Sequence, residues 1–176
     1  YGHPCDMDPI MKIADAHNLF VIEDCAEAVG CYYRDKHVGT FGDAATFSFF
    51  GNKTITTGEG GMVLFRDKSV ANTARKLRDH GMSPEKRYWH DVVGYNYRLT
   101  NMQAAIGVAQ MERIEYFVQH KRDLANAYHQ ALQNIEEIRL PSEAEWATSS
   151  YWLYTILLND DGEIERDDLI QRLLIN

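Results

Sequence analysis

Cysteine is scarce in this sequence and is not arranged for cross-linking. Only Cys5, Cys25 and Cys31 occur among 176 residues, and no two of them form a Cys-x-x-Cys pair. An odd count at such spacing argues against a disulfide framework and favours a reducing compartment, so we expect a cytoplasmic protein. The sequence also lacks any run of ~18 apolar residues, which argues against a membrane-spanning helix.

Basic residues are fewer than acidic residues in this sequence. Asp and Glu number 26 against 18 Lys and Arg, and the formal net charge is -8. This balance argues against broad binding to nucleic acids or anionic membranes, which requires a basic surface. One basic group has helical spacing, which is typical of a solvated helix face: Lys68, Arg75, Lys76 and Arg78. His80 and His90 lack ligand spacing, so we expect no metal site.

Helix and strand patterns alternate along the chain. The sequence predicts a first helix from Asp8-Pro9 to His17-Asn18, and then the strand Leu19–Glu23, covered on both faces. The remaining predicted elements are a hairpin around 34–36, strands at Ala45–Phe50 and Gly61–Phe65, a helix from Asp67 to His80, a helix of about 33 residues from Met102 to Asn134, a strand at Tyr151–Leu158 and a helix from Arg166. Because the long helix far exceeds the usual length of ~11–12 residues, we expect it to kink or to bridge two parts of the molecule.

This alternation predicts an α/β layered domain. The apolar stripe of the long helix is expected at Ala105, Val108, Ala109, Ile114, Phe117 and Leu124. Residues 1–135 are predicted to belong to a large domain that ends in this helix. Residues 136–176 are predicted to form a linker and the start of a small C-terminal α+β domain. Neither end carries a natural boundary signal, so we expect an internal piece of a longer protein.

Asp24 and Lys53 form the pair that carries chemistry. Asp24 follows an apolar strand, and Lys53 lies 29 residues later in a turn rich in Gly, Ser and Thr. A carboxylate can keep a pyridine nitrogen protonated, and a sheltered lysine can carry an aldehyde as a Schiff base. The pair therefore predicts a site for pyridoxal phosphate.

Hydroxyl groups near Lys53 permit two interpretations. Ser48 and the threonines Thr54, Thr56 and Thr57 could donate to phosphate oxygens or could serve only turn chemistry. A nucleotide-binding P-loop is not indicated, since Asn52 separates Gly51 from Lys53 and the earlier glycine of that motif is missing. Cys25 is expected to be a small buried residue whose thiolate is suppressed by Asp24.

Four ordered segments carry a resemblance to a known family: Val21–Gly30, Phe47–Lys53, Thr57–Gly61 and Gly94–Ala105. Together they resemble the DegT/DnrJ/EryC1/StrS aminotransferases, which are fold-type-I pyridoxal-phosphate enzymes acting on nucleotide-linked keto-sugars. The resemblance implies the large mixed or parallel-sheet domain of that fold. The residues of Ser48–Lys53 are most similar to the corresponding segment of the branch that aminates GDP-4-keto-6-deoxymannose in polysaccharide biosynthesis.

The resemblance also implies roles for individual residues. Lys53 matches the lysine that carries pyridoxal phosphate, and Asp24 matches the partner of its pyridine nitrogen. Glu27 matches the position near the phenolic oxygen, and Ser48 matches a phosphate ligand. Asn96 matches an asparagine that reaches the phosphate of the neighbouring subunit, which implies a homodimer with shared sites. A glycine-led phosphate loop and a ring-stacking aromatic residue are implied before Tyr1.

Three hypotheses follow for the function. The favoured one is transfer of an amino group from glutamate to a keto-deoxysugar nucleotide. The second keeps the cofactor and changes the substrate to another keto-sugar or a cyclitol. The third is a non-catalytic fragment or a partner-binding module. Lys53 argues against the related dehydratase branch, which has histidine at that position.

Overall fold

The structure is a computed structural model that describes residues 1–159 and 164–175. In chain order its elements are α1 (Met7–His17), β1 (Ile22–Asp24), β2 (Tyr32–Tyr33), β3 (Lys36–His37), β4 (Ala44–Ser48), β5 (Gly61–Phe65), α2 (Lys68–Arg78), α3 (Asn101–Met111), α4 (Ile114–Leu132), β6 (Ile138–Arg139), β7 (Ala147–Thr148), β8 (Leu157–Leu158) and α5 (Arg166–Ile175). No helix in the described ranges is long and apolar enough to cross a membrane.

A mixed sheet in the order β1-β4-β5 organises the part of the chain that precedes α2. β1 runs parallel to β4, with Asp24 opposite Thr46, and β5 returns antiparallel, with Gly61 opposite Ser48. The parallel pair places the carboxyl ends of β1 and β4 at the same edge, where ligands bind in open α/β sheets. This arrangement confirms the predicted α/β class with a mixed sheet.

The core lies on one face of this sheet. Cys25, Cys31, Val38 and Ala45 form the buried cluster, and Phe47 packs against it. Cys31 and Val38 flank the hairpin of β2 and β3, as the sequence predicts, and Arg34 at its turn has a positive φ of 54°. The residues that flank the hairpin therefore form part of the core.

The opposite face of the sheet is not covered by the described residues. The sequence predicts a strand at Leu19–Glu23 that is apolar on both sides and covered on both sides. The observed β1 starts at Ile22, and Ile22 is 70% exposed while Phe20 is 87% exposed. The prediction of two-sided burial is wrong for this chain. The strand starts late because Leu19 still bonds back to the Ala14 carbonyl at the end of α1.

Several predicted helix ends move by a few residues. α1 begins at Met7 with Asp6 as its N-cap, not at Asp8-Pro9, and it ends as expected at Asn18, which adopts the left-handed conformation. α2 starts as predicted, because the Asp67 carboxylate accepts hydrogen bonds from the Ser69 and Val70 amides. It stops at Arg78 and not at His80, since His80 already has a φ of 60°.

The predicted long helix is two helices, α3 and α4. A capping box at Thr100 starts α3, and the break falls at Glu112-Arg113, where Arg113 leaves the helical conformation with φ -117° and ψ 14°. The predicted buried stripe is largely wrong: Ala105, Val108, Ala109 and Leu124 are exposed, whereas Ile114 and Phe117 are half-buried. The buried residue on α4 is Ala125.

The predicted strand Tyr151–Leu158 is also mostly wrong. Only Leu157–Leu158 is extended, as β8 paired with β6, and Tyr151 has a φ of 45° that a regular strand does not allow. The segment before it packs on the first part of the chain, because β7 pairs with β2. α5 starts at Arg166 as predicted. The domain boundary at residue 135 stays a prediction.

Candidate active site

Asp24 lies at the carboxyl end of β1, beside the end of β4. Its Oδ1 accepts hydrogen bonds from the Ala26 amide at 3.1 Å and from Thr46 Oγ1 at 3.2 Å. No hydrogen bond from the described ranges reaches Oδ2. The carboxylate therefore caps the following turn with one oxygen and presents the other. Thr46 is a partner that the sequence analysis missed, although the parallel register could have indicated it.

Ser48 lies two residues beyond Thr46 on β4. Residues two apart on a strand point to the same face, so Asp24, Thr46 and Ser48 share the face that is opposite the core. Ser48 Oγ accepts a weak hydrogen bond from the Phe50 amide at 3.3 Å. The hydroxyl hydrogen has no acceptor in the described ranges and remains available to a ligand oxygen.

Lys53 lies in the turn that connects β4 to β5. Its amide bonds to the Phe50 carbonyl at 3.0 Å, which closes the turn around Gly51-Asn52. The side chain folds inward and is only 13% exposed. Its Nζ lies 3.7 Å from Glu27 Oε1 and 4.2 Å from the centre of the Trp152 ring. The structure therefore brings Lys53 and Glu27 together and adds an aromatic wall.

The threonines of this turn serve the backbone. Thr56 Oγ1 donates to the Phe49 carbonyl, and its amide donates to Gln110 on α3 at 2.8 Å. Thr57 is buried and donates to the Glu59 carbonyl at 2.7 Å. Turn chemistry therefore explains Thr56 and Thr57. Together with the fully buried Ile55, they fix the position of the Lys53 turn.

Trp152 was not predicted as a site residue. It lies 100 residues from Asn52 in the sequence, yet its indole Nε1 donates to the Asn52 carbonyl at 2.7 Å. Its own carbonyl accepts from Lys121 Nζ at 3.2 Å. Burial lowers the pKa of Lys121. No local motif marks Trp152, because its contacts depend on the return of the chain after α4.

An ion pair anchors the segment that carries Trp152. Arg122 on α4 forms two hydrogen bonds to Glu143, at 2.6 and 3.1 Å, and a third to the Ser149 carbonyl at 2.8 Å. Glu143 also accepts from the Ser149 amide. Burial opposes ionisation of Glu143, but the bonds from Arg122 and Ser149 outweigh it and lower the pKa of the carboxyl. The bidentate pair holds this segment against α4.

Glu23 supports the site from the core side of the sheet. Its buried carboxylate accepts three backbone hydrogen bonds, from Gly39 at 2.6 Å and from Phe41 and Gly42 at 2.7 Å each. Glu23 and Asp24 are adjacent and point to opposite faces, so anchoring one fixes the other. The sequence analysis treated Glu23 only as the end of a strand. A charged residue within an apolar run was the available signal.

Cys25 has the character that the sequence predicts. It is buried, and its pKa is raised to about 12 by burial and by the negative charges of Glu23 and Asp24. Cys31 is also buried, its Sγ donates to the Gly2 carbonyl, and burial raises its pKa. Both thiols are therefore packing groups.

Asn96 pairs with Asp79, the residue that follows the end of α2. It is exposed, forms an isolated bridge with Asp79, and accepts a hydrogen bond from Arg98 Nε at 2.9 Å through Oδ1. Arg98 Nη1 is also 3.2 Å from Asp79 Oδ1, outside hydrogen-bond geometry. Within the described part of the chain, no hydrogen bond or ion pair joins Asn96 to another predicted site residue. Its role at a neighbouring subunit stays a prediction.

The residues present suit pyridoxal phosphate. Lys53 supplies a primary amine. Among the residues that the structure describes, Asp24 Oδ2 has no competing donor and the Ser48 hydroxyl hydrogen has no acceptor. The amine can condense with an aldehyde, the carboxylate can pair with a protonated pyridine, and the hydroxyl can donate a hydrogen bond to a phosphate oxygen. Within the described ranges, no group of three or more His, Cys, Asp or Glu side chains could hold a metal ion.

Comparison with known proteins agrees with this chemistry. The model of the DegT/DnrJ/EryC1/StrS aminotransferase family matches residues 1–175. GDP-perosamine synthase of Escherichia coli O157:H7 is 48% identical over 176 residues, covering 99% of this chain and 48% of that protein.

Solved structures give the same result. The aminotransferase TlmJ from Streptoalloteichus hindustanus superposes with a TM-score of 0.91 at 31% identity, covering 99% of this chain and 47% of that one. E. coli GDP-4-keto-6-deoxy-D-mannose-3-dehydratase with bound hydrated PLP gives a TM-score of 0.91 at 26% identity, covering 99% and 49%. The chain spans about half the length of the relatives it matches. It belongs to the DegT/DnrJ/EryC1/StrS aminotransferase family.

Proposed function

We propose that the intact protein is a pyridoxal-phosphate-dependent aminotransferase that moves an amino group from glutamate to a keto-deoxysugar nucleotide. The favoured acceptor is GDP-4-keto-6-deoxymannose, because the GDP-perosamine synthases of E. coli and Vibrio cholerae are 48% and 47% identical to this chain. The observation that carries the proposal is the sheltered side chain of Lys53, which is 13% exposed and lies in the turn that follows β4 and Ser48.

The contacts of the site residues support a proposed role for each. Lys53 Nζ would bind the cofactor covalently and, once released, would move the proton at the Cα of the amino donor. Asp24 Oδ2 would hold the proton of the pyridine nitrogen, since a nearby negative charge favours the protonated form. Ser48 would donate to the phosphate. When bound, pyridoxal phosphate supplies the electron sink for the amino-group transfer.

Glu27 and Asn96 complete the proposed site. Glu27 Oε1 lies 3.7 Å from Lys53 Nζ, and Glu27 would face the phenolic oxygen. Asn96 would reach the phosphate held by a partner subunit, which makes the protein a homodimer with shared sites. The proposal places it in the cytoplasm, where its three free cysteines stay reduced.

Borohydride reduction tests the cofactor assignment. The intact protein is loaded with pyridoxal phosphate, reduced and digested, and the modified peptide is identified by mass spectrometry. We expect the label on Lys53, no label in Lys53→Ala, and full labelling in the control Lys68→Ala at the exposed start of α2. A label on another lysine contradicts the site. A colourless, unlabelled protein supports the non-catalytic alternative.

The donor and the acceptor are tested separately. Glutamate should convert the bound cofactor to its amine form in the absence of any sugar, with a change in its absorption spectrum. The loaded protein should then aminate GDP-4-keto-6-deoxymannose faster than keto-sugars on other nucleotides or a cyclitol ketone. A preference for one of those acceptors would keep the reaction type and replace the substrate.

Mixing two inactive variants tests the shared site. Lys53→Ala and Asn96→Ala are each expected to lose activity. After subunit exchange, a heterodimer contains one site with both residues intact, so activity should return toward one quarter of the wild-type value for a random mixture. Absence of any recovery, with exchange confirmed, would contradict the role of Asn96 across the interface.

A further inference from the structure

Trp152 contacts the Lys53 turn in two different ways. Its ring face lies 4.2 Å from Lys53 Nζ, and its indole N–H donates to the carbonyl of Asn52, the residue before the lysine. Trp152 is 9% exposed and the Lys53 side chain is 13% exposed. An ammonium group over an aromatic face is held more strongly when water is excluded. Both contacts therefore act on the same short turn.

Trp152 is itself held in place from both sides. Its carbonyl accepts a hydrogen bond from Lys121 Nζ on α4. On the other side, Gly2 approaches so closely that an added Cβ would lie 2.6 Å from the Trp152 amide nitrogen. Ser150, two residues earlier, donates its amide to the Gly2 carbonyl at 3.0 Å. The backbone that carries the indole is therefore held on both sides.

Tryptophan suits this position because it combines a broad ring face with a donor. Phenylalanine has a ring face but no N–H, so it would leave the Asn52 carbonyl without its partner. Leucine would provide neither contact. A lysine side chain has many rotamers, and ordering it is costly when nothing else holds it. A ring that restricts Nζ to one region orders the lysine side chain in advance, so this loss of conformational entropy does not oppose cofactor binding.

We propose that Trp152 is a positioning residue for Lys53. The ring holds Nζ beside Glu27 before the cofactor arrives, and the indole N–H fixes the backbone from which the lysine extends. The inference rests on the proposed function for its benefit to cofactor binding. Its first part, the placement of the lysine amine, is a property of the cofactor-free protein and can be measured there.

The test compares four variants of the intact protein. Trp152→Phe keeps the ring and removes the donor, and Trp152→Leu removes both. Trp146→Phe and Trp146→Leu are matched controls, since Trp146 packs against His3 and Tyr33. In the cofactor-free protein, lysines are dimethylated with formaldehyde and cyanoborohydride, and mass spectrometry gives the labelling rate of Lys53 relative to Lys68. Titration with pyridoxal phosphate, followed by the absorbance of the bound cofactor, gives its dissociation constant.

We expect the Lys53 to Lys68 labelling ratio to rise severalfold in Trp152→Leu, because the amine loses its wall. The dissociation constant of the cofactor should rise about tenfold in Trp152→Leu and less in Trp152→Phe, in line with a desolvated cation–π contact. Both quantities should stay within twofold of wild type in the Trp146 variants. A general loss of packing would expose Lys53 while Lys68 is already exposed, so it would also raise the ratio in Trp146→Leu; the Trp146 variants separate that effect from loss of the ring.

An unchanged labelling ratio in Trp152→Leu overturns the inference, and so does an equal change in Trp146→Leu. If Trp152→Leu does not fold, Trp152→Phe decides on the indole donor: wild-type cofactor affinity together with a wild-type ratio overturns the role of its hydrogen bond to Asn52. The proposed function fails in a different way. In that case wild-type protein takes no pyridoxyl label at Lys53, while the cofactor-free labelling ratio still reports whether Trp152 places the amine.

Discussion

Replacement of Glu23 tests whether the floor of the site is held by a buried carboxylate. In Glu23→Gln one side-chain oxygen remains and can keep the amides of Phe41 and Gly42. The new –NH₂ group then faces the Gly39 N–H, which now donates at 2.6 Å to Glu23 Oε2. A donor facing a donor removes one charge-assisted bond and leaves a buried amide unsatisfied, so we expect a loss of about 2 kcal/mol in the free energy of unfolding. Glu23→Ala leaves three such amides unsatisfied, and we expect roughly twice that loss.

Two measurements check this reasoning. Urea unfolding, followed by circular dichroism, gives the change in stability, with Glu145→Gln at an exposed position as the control. Amide hydrogen exchange gives the location, because Glu23→Gln should deprotect Gly39 more than Phe41 or Gly42. A wild-type midpoint in urea, or equal deprotection of all three amides, would refute the assignment of individual bonds. A control that loses as much stability as Glu23→Gln would show that charge alone was responsible.

Three further predictions concern other parts of the chain. Because the pKa of Glu143 is lowered, its pair with Arg122 stabilises the fold at pH values above the ordinary carboxyl pKa of 4.5, and this stabilisation is lost as the pH falls below 4.5. In Glu143→Gln the free energy of unfolding should therefore decrease less steeply as the pH is lowered. At pH 8 the Cys25 thiol, with a pKa of about 12, is ionised to only ~10⁻⁴, so iodoacetamide should modify the exposed Cys5 first and reach Cys25 after unfolding. Thr100→Ala removes the N-cap of α3 and should cost about 1 kcal/mol in urea unfolding, whereas a loss below a few tenths would show that the capping box is redundant.

Elements defined by local signals could be predicted from the sequence. The run Gly61–Phe65 is β5 to the residue, and the Asp67 cap of α2 is present with the hydrogen bonds that its type implies. The placement of Lys53 in a closed turn and of Asp24 at a strand end follows the same logic. Turns and helix caps depend on residues only a few positions apart, so they can be predicted from a single sequence.

Burial and long-range contacts could not be predicted in this way. The sequence of α3 is apolar on more than one side, so its pattern does not select a buried face, and Val108 proves 61% exposed. A kink in the long helix is expected from its length, but neither proline nor glycine marks its position at Arg113. Trp152 meets Asn52 across 100 residues. Which side chain reaches Lys53 is decided by the path of the chain after α4, and no short motif encodes that path.

The hydrogen bond between Trp152 and Asn52 also has a consequence in time. During synthesis the β4–β5 hairpin and its lysine leave the ribosome about 100 residues before the indole that closes over them, which corresponds to roughly 5–20 s at ordinary elongation rates. Throughout that interval the amine of Lys53 has no aromatic wall, and any soluble aldehyde can meet it. The order of residues along the chain thus gives the nascent protein an open period before its lysine is enclosed.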